Sequence, residues 1–220
     1  MKRTMLSWSS GKDSAWALHV LREDPQVHVD GLFCTVNENV NRVAVHAVRI
    51  ELLQMQADSV GLPIQLIPIP HPCSNTEYCE IMDGFVERER ARGIEFFAFG
   101  DLFLEDIREY REKMLSGTGV APIFPIWGRD TRVLSTTMIE SGLRARITCV
   151  DPGRLAAEFS GRNFDAAFLA DLPPGIDACG ENGEFHTFAF DGPMFSREIN
   201  VRTGETTMRD NFVITDLLPA

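Results

Sequence analysis

The residues best suited to chemistry stand early in the chain, in the stretch Ser9-Ser10-Gly11-Lys12-Asp13-Ser14. An apolar run, Met5-Leu6-Ser7-Trp8, precedes it and a run with helical spacing follows. Small residues at such a joint let backbone N–H groups approach an anion closely, and the N-terminus of the following helix adds partial positive charge. Lys12 adds a full charge, and the hydroxyls of Ser9, Ser10 and Ser14 can donate to phosphate oxygens. The joint thus suits a phosphate group at the carboxyl end of a strand. Alternatively, Ser9 and Ser10 merely cap the helix, a common use of serine. A Walker A loop is excluded, because it needs glycine at position 6 and serine or threonine at position 13, where Leu6 and Asp13 stand. G-x-G-x-x-G is missing as well.

The elements that would position this joint follow from hydrophobic periodicity. Strands are expected at 4–8, 27–36, 64–70, 94–101 and 120–127, alternating with helices at 12–23, 43–60, 76–92 and 105–115. Strand and helix in alternation predict an α/β fold: an open, mainly parallel five-stranded sheet with helices on both faces. After about residue 127 the rhythm changes. A helix at 131–142 and a strand at 145–151 precede a Gly/Pro-rich region at 172–183. Two antiparallel strands are then expected, 184–192 and a hairpin over 197–209 turning at Thr203-Gly204. These divide the chain into an α/β domain at 1–126 and a smaller α+β domain at 127–220.

The 220 residues are 44% apolar and 24% charged, the balance of a globular protein, and no stretch approaches the length of a membrane span. Serines and charges break the apolar run after Met1-Lys2-Arg3, so no signal peptide is expected. The five cysteines, Cys34, Cys73, Cys79, Cys149 and Cys179, are odd in number and lack C-x-x-C spacing. They predict a reducing, cytoplasmic setting without a disulfide framework or structural zinc. A net charge of −11 disfavours nucleic acid as a partner, since phosphate neutralisation demands a basic surface.

Ser9-Ser10-Gly11-Lys12-Asp13-Ser14 resembles the PP-loop, S-G-G-x-D-S, of the ATP pyrophosphatase superfamily, with Ser10 in place of the first glycine. Three later segments, "PIWGRD" (125–130), "GENGEFHTF" (180–188) and "DGPMF" (191–195), narrow the resemblance to the diphthine–ammonia ligase family. The resemblance implies a fold of the adenine nucleotide α-hydrolase type and ATP with Mg2+ as cofactors. It also implies an activity: adenylation of an acceptor carboxylate with release of pyrophosphate, followed by displacement of AMP by ammonia. The expected partners are ATP, ammonia and a carboxylate on a protein or small molecule, with a second copy of the chain as a further candidate.

By the same resemblance, Ser9 to Ser14 hold the ATP phosphates, Lys12 and Asp13 act in catalysis, and Asp13 stands near the magnesium ion. Glu181, Asn182, Gly183 and Glu184 would line the acceptor or nucleotide cleft. Glu181 and Glu184 would be catalytic there, since carboxylates can bind ammonium and accept its protons. Alternatively, the Gly180–Gly183 turn begins a strand and its glutamates are solvated. Gly100 and Asp101 follow the fourth strand at its carboxyl end, where Gly100 can meet the nucleotide and Asp101 can hold magnesium or substrate. Arg129 can neutralise charge on pyrophosphate, Asp130 can cap the next helix, and Trp127 is expected in the core. The acidic run after Asp101 points to a bacterial-type branch, for which the chemistry carries over better than the acceptor. Two other functions remain in play: tRNA modification by the same loop, opposed by the charge and the unpaired cysteines, and nucleotide binding without chemistry. Cys73 could be reactive, as in sulfur-transferring PP-loop enzymes; the paired cysteines usual there are missing, and Cys73 and Cys79 are expected instead to flank a helix start capped by Ser74 or Asn75.

Overall fold

The computed structural model of the chain describes residues 1–37, 42–43, 48–209 and 211–220. Its first half contains β1 (Lys2–Ser7), α1 (Lys12–Glu23), β2 (Val27–Asn37), β3 (Arg42–Val43), α2 (Ile50–Val60), β4 (Ile64–Ile69), α3 (Asn75–Ala91), β5 (Phe96–Ala98), α4 (Glu105–Leu115) and β6 (Ala121–Ile123). Five strands run parallel in the spatial order β4-β2-β1-β5-β6, and β3 pairs antiparallel with the end of β2. The chain therefore winds outward from β1 in one direction, then returns to add β5 on its other side. At that reversal the loops leaving β1 and β5 diverge, and ligands of open α/β sheets bind in the crevice between them.

Alternation along the strands sends side chains to two cores. Leu6 and Trp8 join Ala15 and Leu18 of α1 and Leu52 and Leu53 of α2 on one face. Met5, Phe33 and Phe97 face the other way, against Met82, Phe85 and Val86 of α3. Phe33 has ring centroids 5.1 Å from Phe85 and 4.9 Å from Phe97, so truncating it to alanine should cost about 3–5 kcal/mol.

The second half is built from α5 (Thr131–Glu140), β7 (Arg144–Val150), β8 (Asn163–Phe164), α6 (Ala166–Asp171), β9 (Phe185–Asp191), β10 (Val201–Arg209) and β11 (Phe212–Pro219). Its sheet is antiparallel, with β9 along one edge of β7, β8 and β11 along the other, and β10 beyond β11. Ile147, Val150, Phe185 and Phe188 of this sheet belong to the same core as α1 and α2. The two halves thus share one apolar interior.

The expected α/β class, with a smaller second sheet, is what the chain adopts. Three local expectations differ. The helix expected over 43–60 begins at Ile50; Arg42-Val43 is strand, and 44–47 lie outside the described residues. Arg49 stays extended before it, held through Nη2 to Asp216 of β11 at 2.5 Å. The hairpin does not turn at Thr203-Gly204. There β10 carries a bulge, Gly204 and Glu205 opposing Asp216, and the turn falls between Arg209 and Phe212, with Asn211 at φ 68°. Strand β11 was not among the expected elements. The caps were legible: Ser74 and Glu77 form a reciprocal capping box at α3, and Asp130 accepts from the Val133 N–H at 2.9 Å. Each such cap contributes about 1 kcal/mol.

Candidate active site

The crevice at the β1/β5 reversal is a cavity of about 460 Å3. The loop after β1, the start of α1, the loop after β5, α4 and the segment entering β9 line it, through Ser9, Lys12, Asp13, Ser14, Gly100, Asp101, Arg111, Glu181, His186 and Thr187 among others.

The loop after β1 is shaped by its backbone. Ser10 sits at φ 70°, the left-handed region that its glycine counterpart would enter freely. It is fully buried, so its hydroxyl does not face the cleft as expected from sequence. What fixes the turn lies outside it. The Ser10 carbonyl accepts from Gln56 Nε2 at 2.9 Å and from the Ala189 N–H at 3.0 Å. Gln56 also donates to the Ala189 carbonyl at 2.6 Å and accepts from Trp8 Nε1 at 2.8 Å. Neither Ser9 nor Ser10 caps α1: the cap residue is Gly11, which has no side chain to offer, and the Lys12 N–H donates instead to Thr187 Oγ1 of β9 at 3.0 Å. Ser9 and Ser14 are joined at 3.2 Å, and Ser14 Oγ donates to the Gly11 carbonyl.

Lys12 is buried, and its ammonium is committed to Asp13 Oδ2 at 2.9 Å and to the Cys179 carbonyl, between the faces of Phe164 and Phe185. Burial opposes its charge, but Asp13 and Glu181 more than offset that, and its pKa stands above the ordinary lysine value. Asp13 is raised by burial, against the pull of Lys12. Its Oδ1 is buried with no hydrogen-bond partner, and so is Asp101 Oδ2. Burial also raises Asp101, although Arg111 lies 3.6 Å away. Asp13 Oδ1, denied both water and a donor, suits a hard cation, whereas Asp101 Oδ2 faces Arg111 Nε at 3.6 Å, just beyond hydrogen-bond reach. A magnesium ion needs only one or two carboxylates from a protein and completes its shell with phosphates and water. Gly100 allows this approach: a Cβ there would stand 3.1 Å from the Asp13 backbone.

The segment before β9 separates two glutamates that look alike in sequence. Glu181 lines the cleft, accepts from the Leu102 N–H at 2.7 Å, and is raised to about 7 by burial and by the Asp13 and Asp101 charges. Glu184 is buried beneath the turn and outside the cleft lining. Its Oε1 accepts from the Asp177 N–H and from Asn182 Nδ2, both at 3.1 Å. Asp177 in turn accepts from the N–H groups of Cys179 and Glu181, each at 3.0 Å, and from Thr131 Oγ1. Gly180, at φ 72°, leaves only 2.8 Å between a built Cβ and the Phe185 carbonyl, so this turn requires glycine on both counts. His186 is held neutral, lowered to about 4 by burial and Lys12.

Arg129 is exposed and does not line the cleft, and Trp127 is half-buried against Phe124 and Arg108, not in the core. Gln56, Asp177, Thr187 and Arg111 were not singled out from sequence. Gln56 and Thr187 meet partners far along the chain, while Arg111 faces nearby Asp101 and Asp177 serves its own turn, with no motif to mark either.

Residues 1–122 match the family described as the diphthamide synthase N-terminal domain, and 130–217 match the diphthamide synthase C-terminal domain. A Danio rerio protein named diphthine–ammonia ligase is 25% identical over 222 residues, covering 94% of this chain and 84% of its own length. The Rattus norvegicus protein of that name is 26% identical over 225 residues, covering 91% and 83%. The Homo sapiens protein is 29% identical over 139 residues, covering 59% and 49%. A strained anion-type loop, paired carboxylates at a sheet reversal, and both domains matched in order lead to one assignment: this chain belongs to the diphthamide synthase family.

Proposed function

We propose that the chain is an ATP-dependent amide-forming ligase, as its relatives' name, diphthine–ammonia ligase, suggests. An acceptor carboxylate oxygen forms a bond to the α-phosphorus of ATP as the α–β bridge breaks and pyrophosphate leaves. Ammonia then forms the C–N bond, the C–O bond to AMP breaks, and one proton leaves the nitrogen. The observation that carries this reading is the convergence, at the reversal of the sheet, of the turn at Ser9–Ser14 with the carboxylates of Asp13, Asp101 and Glu181.

The start of α1 favours the negative phosphates. Asp13, through its unpartnered Oδ1, and Asp101, beside Arg111, would hold magnesium, and the ion would supply neutralising charge to the polyphosphate. Lys12, turned toward Asp13 and the Cys179 carbonyl, orients that carboxylate. Glu181, with its proton affinity near neutrality, is suited to take the proton released from the amine. Sulfur transfer gains no support. Burial pushes Cys34 and Cys149 up to about 12 and Cys179 higher still, and Cys73 is raised too, so none of these thiols forms a nucleophile readily. No helix among the described residues is long and apolar enough to cross a membrane.

Phosphorus NMR of ATP and Mg2+ with the protein, ammonium and a fractionated pool of cellular carboxylates and proteins tests the reading. AMP and pyrophosphate, formed only when an acceptor fraction is present, are expected. ADP and inorganic phosphate would overturn it.

A further inference from the structure

We infer that Gln56, in the middle of α2 and outside the cleft, is a positioning residue for the phosphate-binding turn. The turn depends on Ser10 occupying the left-handed region, where a β-carbon is disfavoured. Nothing within the loop compensates: the Ser10 hydroxyl is buried without a hydrogen-bond partner. Compensation comes through the Ser10 carbonyl, which receives one donor from Gln56 and one from the Ala189 N–H.

Among the described residues Gln56 is the one side chain on this carbonyl, and every polar atom of its amide is used. Nε2 bridges the carbonyls of Ser10 and Ala189, while Oε1 takes the Trp8 indole N–H. It is fully buried. A single amide thus joins the strand leading into the turn, the turn itself, and β9 of the second sheet. Neither glutamate, which lacks the donors, nor leucine, which lacks donor and acceptor alike, can make these three bonds. The assignment rests on the proposed ATP-binding role of the turn. Its structural content, that Gln56 holds the Ser10 conformation, can be tested without nucleotide.

The test is a double-mutant cycle on the full chain, with Gln56→Leu and Gln56→Glu, Ser10→Gly, and the combinations. Isothermal titration with Mg2+ and α,β-methylene-ATP reports binding, and amide hydrogen exchange at Gly11, Lys12 and Ala189 reports the turn directly. In the Ser10 background, Gln56→Leu should weaken binding by about tenfold or more and speed exchange at all three amides, since the strained turn is released. In the Ser10→Gly background the same change should cost much less on both readouts, because glycine needs no external hold. Gln56→Glu keeps the volume and the Trp8 acceptor, and it carries the test if the leucine variant does not fold. Equal costs of the Gln56 change in both backgrounds would overturn the inference. Failure of the unaltered protein to bind the nucleotide would instead strike the proposed function, and the exchange data would still decide for or against Gln56.

Discussion

Two turns meet at the cleft, and they are built on opposite plans. The turn at Ser9–Ser14 is held from outside: Gln56, Ala189 and Thr187 supply its bonds, and its backbone is strained at Ser10. The turn at 177–184 is held mainly from within. Asp177 and Glu184 bond to N–H groups of the same segment, and Gly180 takes the left-handed position at no steric cost. The first presents Asp13 to the cleft with one oxygen unpartnered, although Lys12, Ser9 and Ser14 are bonded within the site. The second spends Glu184 on its own shape and presents Glu181. A carboxylate's position within a turn, more than its identity, decides whether it is structural or available.

That contrast can be broken at four points. The largest effect is expected at Asp13. Asp13→Asn keeps the shape of the turn but removes the anion, and AMP formation should fall by about 10²–10³. Activity near that of the unaltered protein would show that Asp13 only balances Lys12. The converse is expected at Glu184. Glu184→Ala leaves the Asp177 N–H and Asn182 without their acceptor, and urea denaturation should show a loss of about 1–3 kcal/mol. An unchanged midpoint would mean the second turn does not support itself.

A smaller effect is expected from pH. Burial raises Glu181 in the folded protein to about 7, above the ordinary glutamate value of about 4.5, so between these values the folded protein binds the extra proton. Its contribution to stability is therefore present below pH 4.5 and is lost as pH rises toward 7. Glu181→Gln should flatten the decline of melting temperature across that interval, and an identical slope in the variant would refute the assignment. The smallest effect belongs to Arg129. Exposed and outside the cleft lining, it should change stability by no more than about 0.5 kcal/mol when replaced by alanine. A larger loss would show that the 125–130 segment supports the second turn.

Most strands and helices of the first half, and the caps at Ser74 and Asp130, were legible because each is written locally, whereas β3, β8, α6 and β11 were not expected. Ser10 was legible for the same reason, as a serine standing where the resembling pattern has glycine. Gln56 was not, since a glutamine in a helix gives no sign that it meets a carbonyl 46 residues away. Glu181 and Glu184 could not be told apart, because a turn's inner and outer sides have no periodicity. Thr203-Gly204 drew the hairpin turn to itself because glycine is the stronger turn signal, although here it marks a bulge. The start of α2 was misplaced because Arg49, compatible with helix by propensity, answers to Asp216 at the far end of the chain.

The apolar interior that runs without interruption from α1 and α2 into β7 and β9 bears on how such a chain is inherited. A gene divided between the two sheets would encode two products, each with an oily face meant for the other. Selection can exchange the residues at the cleft mouth one by one, but it must transmit the two halves as a couple.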